Sequence, residues 1–298
     1  MGAEGRTFAG GPLRYQWGGA YLRSMTPELT EDEIRRYSRH ILLPEVGGIG
    51  QAKLREASVL VVGAGGLGSP LVLYLAAAGV GRIGIVDDDK VELSNLQRQI
   101  AHRTDGIGVG KARSAAEAAR AINPGVVFEP YDCRIGAENA LQLIGGYDIV
   151  CDGSDNFSTR FLMADACFLA RRTLVSAAVL RFEGQLSVFK PHAGPEAPCY
   201  RCLYPEAPPE GMVPSCSEAG VMGAVTGVMG TLQASEVLKE ILGIGESLSG
   251  RLLIWDALAA RMRSVRLGRD PACRLCGPAG EIFDLSAHGN AAAPACAV

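Results

Sequence analysis

Residues 58–87, SVLVVGAGGLGSPLVLYLAAAGVGRIGIVD, constrain the fold more than any other stretch of the chain. An uncharged, β-branched run passes through three glycines spaced G-x-G-x-x-G (Gly63, Gly65, Gly68) into an apolar helix, then into a second strand ending at Asp87. Strands covered on both faces read as continuous apolar runs, and parallel neighbours need a crossover helix between them. The segment is therefore a βαβ unit. Small residues in its first turn let the main chain approach phosphates, and the helix N-terminus offers amide donors and a favourable dipole. A carboxylate at the end of the second strand can grip ribose hydroxyls. On these residues alone NAD and ATP fit equally well.

The same rhythm continues downstream. KARSAAEAARAI reads as a helix, VVFEPYD as a strand, AENALQLI as a helix and DIVCD as a strand. A helix from roughly Asn156 to Ala170 precedes a strand at TLVSAAV. Such alternation predicts an α/β, Rossmann-like, doubly wound and mostly parallel sheet. GQLSVFK, RLLIWDA and RMRSVRL alternate as strands with no helix between the last two, so antiparallel strands are expected toward the C-terminus. Before the glycine turn, Thr30 and Glu33 fit a capping box, and Ile34, Tyr37, Ser38 and Ile41 mark one helical face. The charge-free stretch Ala219 to Ser235 is short for a membrane span and carries Thr226, Thr231, Gln233 and Ser235, which points to a buried helix. One domain is expected over residues 29–285, with residues 1–28 a disordered extension and 286–298 a flexible tail.

Charge narrows the partners. Lys and Arg number 29 against 32 Asp and Glu, a formal charge of -3, so no basic face for nucleic acid is expected. The first residues contain no apolar core of a signal peptide, which favours the cytoplasm. Nine cysteines in a large cytoplasmic chain suggest thiols or metal ligands rather than disulfides. Four of them form Cys199-x-x-Cys202 and Cys273-x-x-Cys276, two knuckles suited to tetrahedral Zn²⁺ in a structural site with no open position. Cys133, Cys151 and Cys167 read as core residues, and the four histidines show no ligand spacing.

Cations distinguish the nucleotides. Asp87-Asp88-Asp89 leads into SNLQRQ (Ser94 to Gln99) and then Lys111 at a helix start, so Arg98 and Lys111 can bracket a triphosphate. Hydride transfer needs no cations there, whereas nucleotidyl transfer does. DGSDNFSTR ends a strand with Asp152 and Asp155, where a carboxylate beside phosphates can hold Mg²⁺.

GAGGLGSP, DDDKVELSNLQRQ, GKARSA, INP, DGSDNFSTR and the paired CxxC motifs together resemble the MoeB/ThiF family, the ubiquitin-activating-enzyme-like adenylyltransferases of sulfur-carrier proteins. The resemblance runs from about Leu29 to Asp284. It implies ATP-dependent adenylylation of a carrier's C-terminal glycine carboxylate, releasing pyrophosphate, on the way to molybdopterin, thiamine or another sulfur-containing product. It implies that Gly66 faces the phosphates, Asp87 holds the ribose, Asn95, Arg98 and Lys111 contact phosphates, and Asp155, followed by Asn156, sits at Mg²⁺. Ser94, Leu96 and Gln97 belong to the same nucleotide-binding motif. Arg39 matches an arginine that the family's homodimers contribute to the neighbouring subunit's site. Some members use a cysteine at the place of Cys216 to carry an acyl group or sulfur, and others do not. A partner ending in Gly-Gly and a separate sulfur donor are expected, since no sulfurtransferase domain follows Asp284, and neither nucleic acid nor membrane. The rival readings are an NAD-dependent oxidoreductase and a non-catalytic carrier-binding scaffold of the same fold.

Overall fold

The computed structural model describes residues 29–209, 212 and 219–289. At its centre lies an eight-stranded sheet in the order β3-β2-β1-β4-β5-β6-β7-β8. Strands β1 (Ser58–Val62), β2 (Arg82–Val86), β3 (Val127–Tyr131), β4 (Ile149–Asp152) and β5 (Thr173–Leu180) run parallel. Strands β6 (Glu183–Phe189), β7 (Arg251–Asp256) and β8 (Arg261–Arg266) continue the sheet antiparallel, in line with the alternating runs of that region and the lack of a helix between the last two. The chain leaves β1 toward β2 and β3, then returns to place β4 on the other side of β1. That reversal is the topological switch point, and the crevice at the strand ends beside it is where open α/β sheets bind ligands.

Alternation along β1 divides the core. Val59 and Val61 face one layer and Leu60 and Val62 the other. On the first face pack helices α3 (Gly47–Glu56), α4 (Gly68–Ala78) and α5 (Lys111–Ile122), with a long helix (Gly223–Leu242) against them. Ala112, Ala115, Ala116 and Ala119 are all buried on α5, and side chains that short let it lie close to the sheet. The second face carries α6 (Ala140–Gly145) and α7 (Phe157–Leu169). No helix among the described residues is long and apolar enough to cross a membrane.

Three local expectations are revised. The first helical segment is broken into α1 (Glu31–Arg36) and α2 (Ser38–Ile41), and Ile34 is 48% exposed. One residue anchors this segment rather than a stripe: Tyr37 is buried against Gly79 and accepts a 2.8 Å hydrogen bond from Asn123 Nδ2. The expected capping box at Thr30 and Glu33 is present. The charge-free segment forms the long helix only from Gly223, and the helix runs on to Leu242. Its polar residues serve the fold: Gln233, fully buried, donates from Nε2 to the carbonyls of Asp152 and Val175 at 2.9 Å and so ties the helix to β4 and β5. Finally, Cys133 is buried in the core as expected, but it is disulfide-bonded rather than a free thiol.

Candidate functional site

The loop between β1 and α4 opens the site. Gly63 has φ +92°, a left-handed conformation that glycine adopts without strain, and a Cβ there would press on Gly153 O at 2.9 Å. A Cβ on Gly68 would lie 1.8 Å from Gly63 O, so the turn can close only with glycine. Gly65 and Gly66, by contrast, face a cavity of 310 Å³ at the switch point. Asp87, at the end of β2, sits on the same wall and buttresses the loop: Oδ2 accepts from Ala64 N at 2.7 Å and Oδ1 from Asp89 N at 2.9 Å. Burial raises its pKa above the ordinary carboxylate value, against the pull of those two amide donors.

Opposite stand the cations. Arg98 and Lys111 both line the cavity. Lys111, only 7% exposed at the first turn of α5, pairs with Asp89 at 2.7 Å. Arg98 is half-buried and donates to Ser94 O at 3.1 Å. At the C-terminal end of β4 the two aspartates diverge. Asp152 is fully buried and its carboxylate is filled by Ser154 N, Ser154 Oγ and Ser176 Oγ, which makes it a brace for the turn. Asp155 is exposed on the cavity wall and makes no hydrogen bond or ion pair among the described residues. Asn156 beside it caps α7, accepting from Thr159 N at 2.9 Å.

Not every residue expected at the site reaches the cavity. Gly63, Gly65, Gly66, Asp87, Arg98, Lys111, Asp155 and Asn156 line it, while Gly68, Ser94, Asn95, Leu96 and Gln97 do not. Asn95 is buried and turned into its own loop, accepting from Glu92 N at 3.0 Å. Arg39 is exposed on α2 and absent from the cavity wall of its own chain. Cys216 lies outside the described residues.

Three further residues escaped sequence reasoning. Gln99 is 4% exposed, lines the cavity, and leaves Oε1 without a hydrogen-bond partner among the described residues. His102 bridges Ala64 O at 2.9 Å through Nε2 and Ser114 Oγ at 3.0 Å through Nδ1, joining the glycine loop to α5. Arg160, on the first turns of α7, lines this cavity and its neighbour. Only Gln99 had a local signal, its place in SNLQRQ. The partners of the other two are main-chain carbonyls or distant residues.

The four cysteines meet beside α7, whose Phe168 packs against them. Their Sγ atoms all lie within 4.8 Å of one another, with Cys199–Cys202, Cys199–Cys273 and Cys202–Cys276 at 3.8, 3.5 and 3.4 Å. A tetrahedral ion with metal–sulfur bonds of about 2.3 Å holds its sulfurs roughly 3.8 Å apart, so the donor set fits zinc. None of the four is in a disulfide.

Comparison with known proteins bears on this geometry. A family model described as the ThiF family matches residues 37–275. A sulfur carrier protein adenylyltransferase of Thermus thermophilus is 50% identical over 250 residues, which cover 83% of this chain and 92% of the relative. The SAMP-activating enzyme E1 of Haloferax volcanii is 47% identical over 256 residues, covering 86% of this chain and 93% of the relative. The adenylyltransferase and sulfurtransferase MOCS3 of Bos taurus is 54% identical over 86% of this chain, which spans only 56% of that longer relative. Among solved structures, E. coli MccB with ATP superposes with a TM-score of 0.71 at 22% identity, over 81% of this chain and 74% of that one, a likeness of fold alone.

Proposed function

The chain belongs to the ThiF family, and from that premise we propose that it adenylylates the C-terminal glycine carboxylate of a small ubiquitin-like sulfur-carrier protein, using ATP. One observation carries this reading: the glycine loop, Asp87, Arg98, Lys111 and an Asp155 with no partner among the described residues surround one cavity at the switch point of the sheet. Glycines 65 and 66 present no side chain to the cavity, which suits phosphates against the main chain. Asp87 takes the ribose, and Arg98 and Lys111 the phosphates. A carboxylate oxygen of the carrier attacks the α-phosphorus, the bond to the pyrophosphate oxygen breaks, and an acyl adenylate remains. The attacking group is already ionised, so no general base is needed. The obstacle is bringing two anions together, and preorganised cations in a partly desolvated cavity lower it. Asp155, free of partners among the described residues, would hold Mg²⁺, which supplies charge neutralisation on the departing pyrophosphate. An oxidoreductase leaves Arg98, Lys111 and Asp155 without work, and a scaffold would not need them.

The rest of the reading follows the same logic. Cys199, Cys202, Cys273 and Cys276 would hold a structural zinc ion that ties α8 (Tyr200–Leu203) to the segment near residue 275. Four thiolates of this kind suit a reducing compartment such as the cytoplasm. Arg39 would act in the partner's site of a homodimer, Cys216 would be needed only in a later acyl or sulfur transfer, and sulfur would come from a separate donor. Residues 29–285 would form the adenylylating domain. The test is ATP–pyrophosphate exchange against a panel of carriers ending in Gly-Gly. Exchange should depend on a carrier, and Asp155→Ala should abolish it without lowering Tm, since the side chain has no partner among the described residues to lose. Near-normal exchange in that variant would remove Asp155 from the Mg²⁺ site.

A further inference from the structure

The nucleotide cavity adjoins a second cavity of 290 Å³, and both are lined by Asp155, Arg160 and Val179. The second is a largely apolar groove, walled by Phe157, Ala177, Leu186, Phe189 and Leu252 along α7, β5, β6 and β7. Among the described residues its wall carries two acidic side chains, Asp155 and Glu183, and a single basic one, Arg160. The guanidinium is half-buried, donates to Ser154 O at 2.7 Å and to the Tyr200 hydroxyl, and pairs with no carboxylate among the described residues. An arginine has five N–H donors in a fixed fork, so most of its hydrogen-bonding capacity is unspent. A partly desolvated cation with spare donors, placed where an apolar groove meets a phosphate cavity, matches a carboxylate arriving along the groove.

We propose that Arg160 is the residue that receives the C-terminal carboxylate of the incoming carrier and aims it at the α-phosphorus, an assignment that rests on the adenylyltransferase reading above. It makes Arg160 a specificity-determining residue for a free acid terminus. The neighbouring Asp155 faces the same junction, so an unescorted carboxylate would be repelled there, and Arg160 offsets that repulsion.

The experiment is a two-by-two cycle of enzyme and carrier. A Gly-Gly-terminated carrier that supports exchange is prepared with a free C-terminal carboxylate and with a C-terminal carboxamide of nearly the same shape. Its binding to wild type and to Arg160→Met is measured with Mg²⁺ and α,β-methylene-ATP, which is not cleaved at the reacting bond. Wild type should prefer the acid by roughly ten- to a hundredfold, the range of a charged hydrogen bond. Arg160→Met should bind both forms alike, and Arg160→Lys should keep part of the preference. ATP-analogue affinity should stay within about twofold in both variants. A preference that survives in Arg160→Met overturns the assignment. So does loss of ATP affinity with the preference intact, which would place Arg160 on the nucleotide or on the 153–155 turn instead. Failure of wild type to exchange with any carrier would overturn the adenylyltransferase reading itself, a result separate from either of these.

Discussion

His102 makes the case at the scale of single residues. Nε2 must donate to a carbonyl oxygen, so in the neutral ring Nδ1 accepts from the Ser114 hydroxyl. Burial, with Lys111 adding to it, lowers its pKa below the ordinary 6.5. A histidine held neutral in the fold and free to protonate when unfolded contributes stability above about pH 6.5, and that contribution is lost as pH falls toward the depressed value. Wild type should therefore lose more stability than His102→Gln between about pH 7 and about pH 5, with slopes differing by at most about 1.4 kcal/mol per pH unit. Equal slopes in urea melts across that range would show that His102 does not titrate with folding. The glycines give a second contrast. Gly68→Ala puts a methyl 1.8 Å from Gly63 O and should cost several-fold in soluble yield along with a large drop in Tm. Gly65→Ala meets nothing closer than Gln99 Nε2 at 3.6 Å, so its Tm should hold while affinity for ATP falls. Parallel Tm and ATP-binding measurements check both. Gly63, Gly65 and Asp87 were legible because their spacing carries the geometry. His102 was not, because its partners lie 38 and 12 positions away and one of them is a backbone carbonyl that any residue supplies.

At the scale of elements, the eight strands were legible because each is a short apolar or alternating run bounded by a turn, while their junctions to the four-cysteine region were not. Asp165, fully buried on α7, binds Arg201 through two hydrogen bonds of 2.7 and 2.8 Å and His288 at 2.7 Å. Arg201 lies between the two cysteines of the first knuckle, and His288 ends the Ser286–His288 turn, past the expected domain limit at 285. One carboxylate thus fastens a helix, a knuckle and a chain end. Burial alone would raise its pKa, but the hydrogen bonds from Arg201 and His288 carry it below the usual range. Removing one member of a buried pair strands the others, so Asp165→Ala should destabilise by about 3–5 kcal/mol, and Asp165→Asn by less. Denaturation midpoints decide, and a loss under about 1 kcal/mol would mean the cluster relaxes into water. Cys273→Ser should lose both bound zinc and several degrees of Tm. Metal analysis showing no zinc in wild type, with Tm unchanged in the variant, would leave the knuckles as packed thiols.

At the scale of the whole molecule, a site within one chain can be read from spacing, but a residue delivered by a second chain has no spacing to its target. Arg39, proposed above to act in a partner's site, is the test case. It is exposed on α2, away from the cavity of its own chain, and a solvated helix arginine would look the same. Delivery across a two-fold interface makes a demand on mixtures that a surface role does not. Homodimers of Arg39→Ala and of Asp155→Ala should each be nearly inactive. In a heterodimer of the two, one site combines intact Asp155 from one chain with intact Arg39 from the other, and the second site has neither. With random pairing at equal amounts and independent sites, half the dimers carry one good site of two, so activity should return to roughly a quarter of wild type. Exchange assayed on the mixture, with heterodimers confirmed by tagged pull-down, measures that fraction. Activity staying near zero would assign Arg39 to its own chain's site, and an active Arg39→Ala homodimer would return it to the solvated surface.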